Sequence, residues 1–309
     1  MNTDKECIGC QACLDVCPCD AIKFTYNKWG EGKALINYTK CKSCGVCEQI
    51  CPSTTNIFNE PAKTVYAMFS KDNRRTGSSG GGFFEIANKF IDQGGCVYGA
   101  AFNDKLKLVH MKATTKSELI KLCKSKYIHS DMSGIYKDIL SLLKNNIKVM
   151  FVGTPCQVSA IKNLFSSKYG ENLLLVDFLC HGTGTQKVFD ICIKAEENRR
   201  KGKIVDFTFR AKTRKTEHSY NYTFKKNKKL KIYSGYSFEF PYYNSYLKYK
   251  VFNEYCYSCK YAQNSRVGDI TLGDFWGIQK HNKSLNDKDG VSMLAVNTQL
   301  GKNTSMKFV

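Results

Sequence analysis

Nothing in the 309-residue sequence is apolar for long enough to cross a bilayer. Its longest runs, such as Val149 to Val152 and Leu173 to Leu179, fall far short of the ~20 residues that a spanning helix needs. No basic segment followed by an apolar stretch precedes Cys7, so export is not expected and the expected compartment is the cytoplasm. Acidic residues are scarce, 27 Asp and Glu against 47 Lys and Arg, for a formal net charge of +20. Residues 1–60 are nearly balanced, with seven acidic side chains and six lysines, so the excess lies beyond them. It gathers between Arg199 and Lys231, in Arg199-Arg200-Lys201 and in Lys225, Lys226, Lys228, Lys229 and Lys231. No helix-turn-helix, zinc-finger or RNA-recognition signature accompanies these cations, which argues against a nucleic-acid partner. Solvated hairpin faces account for them, and an acidic partner is what such a face would steer.

What the sequence has in abundance is cysteine, sixteen in all. In a chain without an export signal these are metal or redox ligands before they are disulfides. Cys7-Ile8-Gly9-Cys10-Gln11-Ala12-Cys13 followed by Cys17-Pro18 returns as Cys41-Lys42-Ser43-Cys44-Gly45-Val46-Cys47 followed by Cys51-Pro52. Each copy reads C-x-x-C-x-x-C-x-x-x-C-P. Three closely spaced thiolates wrap one four-iron cubane, and the fourth cysteine crosses to the other cluster. One [4Fe-4S] cluster is therefore expected on Cys7, Cys10, Cys13 and Cys51, the other on Cys41, Cys44, Cys47 and Cys17. Zinc is the competing occupant of a cysteine cluster, and two full copies with both prolines disfavour it. Cys19 falls outside the pattern and reads as a spare buried thiol. With short strands at Ala21 to Phe24 and Ala34 to Asn37, residues 1–60 resemble a bacterial dicluster ferredoxin, an α+β module.

After a linker at Asn59 to Lys63, strands and helices alternate from Val65 onward, the pattern of an α/β domain with a mainly parallel sheet over residues 65–309. Ser78-Ser79-Gly80-Gly81-Gly82 leads into a helix with Phe83, Ile86, Ala87, Phe90 and Ile91 on its apolar face. Glycines at a helix start expose N–H groups to an anion such as a flavin or dinucleotide pyrophosphate, and they equally suit a plain capped loop. Strands are expected at Cys96 to Phe102 and Leu106 to Lys112, helices at Lys116 to Cys123 and Ser133 to Asn145. Val149 to Val152 reads as a buried strand, Thr154 as a helix N-cap and Pro155 as the first helical residue. Cys156 then lies in the first turn, where the helix dipole favours a thiolate. The helix runs to about Ser167, and a second buried strand, Leu173 to Leu179, ends at Cys180. If these strands are parallel neighbours, Cys156 and Cys180 share one sheet edge. Cys256-Tyr257-Ser258-Cys259 adds two thiols at ligand spacing. The four together suit a third [4Fe-4S] cluster; structural zinc, a redox-active C-x-x-C pair and core cysteines are the alternatives. Cys96, Cys123 and Cys192 read as core residues, and His181 as a satisfied structural histidine.

Joined to the cysteine repeats, five segments resemble the coenzyme F420 hydrogenase/dehydrogenase beta-subunit family. They are Ser125-Lys126-Tyr127, Gly153 to Gln157, Cys180-His181-Gly182, Cys256 to Cys259 and Asp269 to Gly277. The likeness covers nearly the whole chain. It implies a flavoprotein that passes electrons between iron-sulfur clusters and a hydride-accepting substrate at FAD, coenzyme F420 or another small molecule. It gives Ser79, Gly80, Gly81 and Gly82 to the flavin phosphates, with Lys126 supplying charge and Thr154 and Gln157 lying near the isoalloxazine or ribityl chain. It also supports Cys156, Cys180, Cys256 and Cys259 as ligands. Asp269 and Asp274 suit turns beside Gly268 and Gly273, with their role left open. Two departures stand out. Thr183-Gly184-Thr185 replaces the family's usual Val-Pro-Ser, and the chain ends at Val309, soon after the strand Val291 to Asn297, so a fragment or a short member is expected. The leading expectation is an FAD-dependent oxidoreductase. The alternative is an electron-transfer subunit without a substrate site, docking on a larger oxidoreductase subunit or a ferredoxin.

Overall fold

The computed structural model describes residues 7–213, 218–285 and 289–305. Near the start the elements are short, because the cysteine repeats leave little room between turns. Helices α1 (Ala12–Val16) and α2 (Val46–Gln49) each follow a residue in the left-handed region, Gln11 at φ 64° and Gly45 at φ 73°. Between them β1 (Ile22–Tyr26) and β2 (Gly32–Ile36) pair as an antiparallel hairpin, with Ile22 opposite Ile36.

The second part is built on a seven-stranded sheet. Its spatial order is β3 (Thr64–Met68), β12 (Ser292–Val296), β11 (Ile270–Asp274), β7 (Leu173–Phe178), β6 (Val149–Gly153), β4 (Cys96–Phe102) and β5 (Leu108–Ala113). The pairs β4–β6, β6–β7 and β7–β11 are parallel, and the outer pairs are antiparallel. Because β12 runs against both neighbours, β3 regains the common direction, and only β5 and β12 oppose it. The sheet is thus mainly parallel, as the alternating pattern implies.

The central strands are apolar at successive positions because both faces are covered. On one face Val149, Phe151, Leu173 and Leu175 pack against α5 (Ile135–Lys144) and α6 (Pro155–Tyr169) and against Cys10, Ala12, Cys13 and Ile50 of the cysteine-repeat region. On the other, Met150, Leu174 and Val176 pack against Phe84 and Ile86 of α3 (Gly82–Asp92) and Leu119 and Leu122 of α4 (Lys116–Leu122). The cysteine repeats therefore share the core of the larger sheet. Asn59, in the expected linker, is fastened too. It donates its backbone N–H to Arg266 O at 2.7 Å and its side-chain N–H to Gly268 O at 2.7 Å, and it accepts Lys162 Nζ at 2.6 Å.

The basic region is a separate antiparallel sheet that follows α7 (Gln186–Arg200): β8 (Lys203–Phe209), β9 (Ser219–Lys226) and β10 (Lys229–Tyr236). Asn227 and Lys228, at φ 48° and 64°, form the tight turn that matches the strand twist. Lys225, Lys226, Lys228, Lys229 and Lys231 are exposed, while Phe207, Phe209, Tyr220 and Tyr222 bury an aromatic cluster against Phe189, Phe240 and Tyr242. Helices α8 (Pro241–Leu247) and α9 (Gln299–Ser305) complete the described elements. Among the described residues no helix is long and apolar enough to cross a membrane.

Two aspartates that also suit turns prove to be ties between elements. Asp274 ends β11 and pairs with Arg210 at 2.5 Å; Asp269 accepts Leu175 N–H at 2.8 Å and Thr298 Oγ1 at 2.7 Å. Asp177, fully buried in β7, accepts Thr271 Oγ1 at 2.5 Å and the N–H groups of Val267 and Gly268, and faces Arg266 at 3.5 Å. Removing one member of such a buried set leaves the other charge uncompensated. Asp177→Ala should cost about 3 to 5 kcal/mol of folding free energy, measurable as a lower urea midpoint for anaerobically prepared protein.

Candidate functional site

The two interleaved cysteine groups are each drawn together. Cys10, Cys13 and Cys51 are buried and Cys7 is half-buried. Burial raises the Cys10 pKa well above a free thiol, and the neighbouring Cys13, Cys51 and Cys7 raise it further. Cys13 is pushed up to about 12, chiefly by burial and then by Cys7, Cys51 and Cys47. Cys17, Cys41, Cys44 and Cys47 line a single cavity with Ala21, Ile22, Ile36 and Val46. Ala21 N–H points at Cys17 Sγ at 3.3 Å and Ser43 N–H at Cys41 Sγ at 3.4 Å, the kind of donor that stabilises a ligated thiolate. Cys19 is half-buried and lines the same cavity, so it is not the buried core thiol expected. Exposed Cys44 puts this group at the surface, whereas the Cys10 group faces the core.

A third group forms at the carboxyl edge of the parallel strands. Parallel pairing of Val149 to Gly153 with Leu173 to Asp177 puts the ends of β6 and β7 side by side, so Cys156 and Cys180 emerge at one edge. The loop carrying Cys256 is tied to the loop after Cys180: Asn253 donates its backbone N–H and its side-chain N–H to Thr183 O at 2.8 and 2.7 Å. Burial dominates here as well. It holds Cys156 well above the usual thiol range, with Cys180, Cys256 and Cys259 adding to the effect. Cys180 rises to about 12 and Cys256 to about 11, burial again leading. Burial thus works against the thiolate that the N-terminus of α6 is expected to favour. Among the described residues no three His, Cys, Asp or Glu side chains converge tightly enough to hold a single metal ion.

Two tyrosines link the Cys10 group to the third. Tyr136 donates its hydroxyl to Cys10 O at 2.7 Å and Tyr261 to Pro52 O at 3.1 Å. Burial, with Cys10 and Cys156 as additional influences on both rings, raises their pKa values, so each ring lies close to both groups. His129 makes a third link. Its Nε2 donates to Gly9 O at 3.1 Å, which leaves Nδ1 to accept from Tyr255 at 3.0 Å. In sequence these residues look like any core aromatics; only their spacing from the cysteines in the fold distinguishes them. Cys96 and Cys123 are buried and Cys192 half-buried, in or beside regular elements as expected, whereas His181 is exposed rather than a satisfied core histidine.

The glycine loop lies at the same sheet edge, since β3 enters it with the common strand direction. Gly81, at φ 84°, precedes α3, and Gly80 is wedged between strands: a Cβ there would stand 2.4 Å from Met68 O and 2.6 Å from Ser292 N. Ser78 Oγ accepts Ser125 N–H at 2.7 Å, and Ser79 Oγ donates to Val291 O at 2.8 Å. Lys126 donates to the carbonyls of Lys121, Leu122 and Cys123 at 3.1, 2.8 and 2.6 Å, at the end of α4. Burial lowers its pKa to about 7. Lys212 reaches Ser79 O at 2.6 Å and Asp289 O at 2.7 Å, and burial lowers it to about 8, with Arg210, Arg74 and Lys124 nearby. Thr154 is the N-cap of α6 and Gln157 lies in its first turn. Gln157 is 1% exposed and donates to Ser130 Oγ at 2.9 Å, while Thr154 Oγ1 lies 3.0 Å from Cys156 Sγ.

Residues 147–309, from β6 through the third cysteine group to the end, match the family described as the C terminus of the coenzyme F420 hydrogenase/dehydrogenase beta subunit. The chain belongs to this family. The 4Fe-4S dicluster domain matches residues 6–55, which contain both cysteine repeats. The F subunit of F(420)H(2) dehydrogenase from Methanosarcina mazei is 25% identical over 189 residues, 56% of this chain and 53% of that protein. Ferredoxin-type protein NapF of Haemophilus influenzae is 38% identical over 53 residues, 17% of this chain and 30% of its own length. The B subunit of the ion-translocating oxidoreductase complex from Methanosarcina acetivorans is 46% identical over 46 residues, 15% of this chain and 16% of its own length. The chain thus spans about half or less of these relatives.

In this F420 hydrogenase/dehydrogenase family member the glycine run has a packing reason that does not depend on any ligand. Gly80→Ala forces backbone apart on two sides and should destabilise the fold by about 1 to 3 kcal/mol. Chemical unfolding of flavin-free protein would show the loss, and an unchanged midpoint would return these glycines to a purely ligand-binding role.

Proposed function

We propose that the protein is an iron-sulfur flavoprotein oxidoreductase that passes electrons between two ferredoxin-type [4Fe-4S] clusters, a third cluster and FAD, with hydride exchange to coenzyme F420 or another small molecule. One observation carries the reading: four cysteines from three separate segments meet at the carboxyl edge of the parallel strands, beside the dicluster cysteines.

The residues fit the groups they are asked to hold. Cys7, Cys10, Cys13 and Cys51 would hold one cluster, Cys41, Cys44, Cys47 and Cys17 the second, and Cys156, Cys180, Cys256 and Cys259 the third. Burial raises the thiol pKa at Cys10, Cys13, Cys156, Cys180 and Cys256, so ionisation there needs a cation beside the thiolate, and iron would supply that charge. A cubane accepts ligands spread wider than those of one zinc ion, which suits four thiols that do not converge on a point. At the glycine loop, the half-buried Lys126 lies near Lys124, and the half-buried Lys212 lies near Asp289, Arg210, Arg74 and Lys124, a largely cationic neighbourhood that a flavin diphosphate would relieve. Gln157, sealed from solvent, would hold Thr154 in place rather than touch the flavin itself. When bound, the clusters supply one-electron steps and FAD joins them to two-electron hydride chemistry. Cys44 opens the surface end, and Tyr136 and Tyr261 share the apolar cluster that contains Cys10 and packs against Cys156.

A second reading, an electron-transfer subunit docking on a partner oxidoreductase, is favoured by the likeness to a dehydrogenase subunit of which the chain covers 53%. Anaerobic purification separates the two. Bound FAD with about twelve irons per chain, four per cubane, supports the oxidoreductase, and about eight irons without flavin supports the carrier. Cys156→Ser should remove one of three paramagnetic signals and leave the others.

A pH dependence follows for the flavin site. A lysine binds a diphosphate only when protonated, and burial puts the Lys126 pKa at about 7 and that of Lys212 at about 8. FAD affinity, measured by equilibrium dialysis, should therefore fall as pH rises from about 6 to about 9. Lys126→Met should weaken binding at the acidic end and flatten the lower half of that profile.

A further inference from the structure

A buried chain of hydrogen bonds ends on a sulfur of the third group. His110 is 4% exposed, stacks on Phe151 and directs Nε2 at Val152 O, 3.1 Å away. A carbonyl only accepts, so Nε2 carries the proton and Nδ1 is an acceptor. Burial keeps the ring neutral, its pKa lowered to about 4. Ser130 Oγ, 2.8 Å from Nδ1, must then donate to it, which leaves its lone pairs to accept Gln157 Nε2–H at 2.9 Å. The orientation of the Gln157 amide is thereby fixed, with Oε1 turned to Thr154. That oxygen accepts Thr154 N–H at 3.2 Å and lies 3.0 Å from Thr154 Oγ1.

Thr154 has one hydroxyl proton and two acceptors at the same distance: Gln157 Oε1 at 3.0 Å and Cys156 Sγ at 3.0 Å. With Cys156 as a thiol, S–H can donate to the threonine oxygen while O–H goes to the amide. With sulfur bound to iron, S–H is gone and the negatively charged sulfur is the stronger acceptor. The hydroxyl then turns to sulfur, and Gln157 Oε1 keeps its bond from the Thr154 backbone. No polar group is left without a partner by this change. The Cys17 and Cys41 sulfurs receive backbone N–H donors at 3.3 and 3.4 Å, so a side-chain hydroxyl at 3.0 Å from sulfur sets the third group apart from them.

We propose that Thr154 is a positioning residue whose O–H···S hydrogen bond to Cys156, held by the His110–Ser130–Gln157 chain, raises the reduction potential of the third cluster. A donor on a ligand sulfur stabilises the reduced, more negative cluster over the oxidised one. The inference rests on the third cluster of the proposed function.

The test is an EPR-monitored redox titration of anaerobic wild type, Thr154→Val and Thr154→Ser. Valine keeps the shape and removes the hydroxyl; serine keeps the hydroxyl. The reduction equilibrium of the third signal should fall about tenfold in Thr154→Val, about 59 mV for one electron, and stay within about twofold in Thr154→Ser, with the two dicluster signals unmoved. Equal third-cluster potentials in wild type and Thr154→Val, or a shared shift in both variants, overturn the proposal. If the valine variant does not assemble the cluster, wild type in D2O decides. Pulsed EPR of the reduced third cluster should show an exchangeable hydroxyl deuteron near a ligand sulfur, and its absence overturns the proposal. Wild type with about eight irons and two signals removes the third cluster itself and so fails the underlying reading instead.

Discussion

Burial of thiols is the constraint on which the rest of the structure depends. A cysteine that loses its water keeps its proton, and burial leads the causes that raise Cys10, Cys13, Cys156, Cys180 and Cys256. Thiolate is the form that binds iron, so at these positions ionisation becomes favourable only where a cation compensates the charge. Tyr136 and Tyr261 belong to the same apolar cluster as Cys10 and Cys13, against which Cys156 packs.

That constraint explains why the dicluster region is not a bead on a string. Cys10, Ala12, Cys13 and Ile50 belong to the same apolar cluster as Phe151, Val158 and Leu175 of the large sheet and its α6 helix. Gln11 Oε1 accepts Met132 N–H at 2.7 Å and Asp15 accepts Tyr136 N–H at 3.2 Å, so the loop that wraps one cysteine group is anchored to α5 on the other side. The Glu31 carboxylate, on the β1–β2 turn, accepts Glu254 N–H at 2.7 Å beside the Cys256 loop. Contacts of this kind fix the separation between groups, which electron transfer needs fixed, more firmly than a flexible linker would.

Much of this was legible in the sequence, for reasons that differ by element. The doubled C-x-x-C-x-x-C-x-x-x-C-P pattern is dictated by cubane geometry, so spacing alone assigns which cysteines cross between halves, and the structure gathers those two sets. Val149 to Val152 and Leu173 to Leu179 read as buried strands because a sheet covered on both faces needs no polar alternation. The glycine run was ambiguous because two needs coincide there: Gly80 is required where Met68 and Ser292 close on it, and a helix start beside cations also suits an anion. The role of Asp269 and Asp274 stayed open because a carboxylate beside glycine also suits a turn, and their partners, Leu175 N–H and Arg210, are distant in sequence. Tyr136, Tyr261, His129, His110 and Ser130 carry no local signal at all. Their roles come from tertiary contacts that no periodicity encodes.

The polar residues at the α6 N-terminus show how one short motif serves two masters. In Thr154-Pro155-Cys156-Gln157 the threonine and glutamine are a capping pair, and proline begins the helix, which is enough to explain them as structure. Yet the cap also brings a hydroxyl to 3.0 Å from sulfur and seals the glutamine at 1% exposure against Ser130. A cap that only ended a helix would work as well in water. Here it is buried, and a buried polar chain is tolerated only when every member is satisfied. The His110 end is satisfied by Val152 O, near the end of the strand that delivers Cys156. Strand end, helix start and ligand sulfur are thus held by one continuous set of hydrogen bonds, so a displacement of any of them is felt at the sulfur.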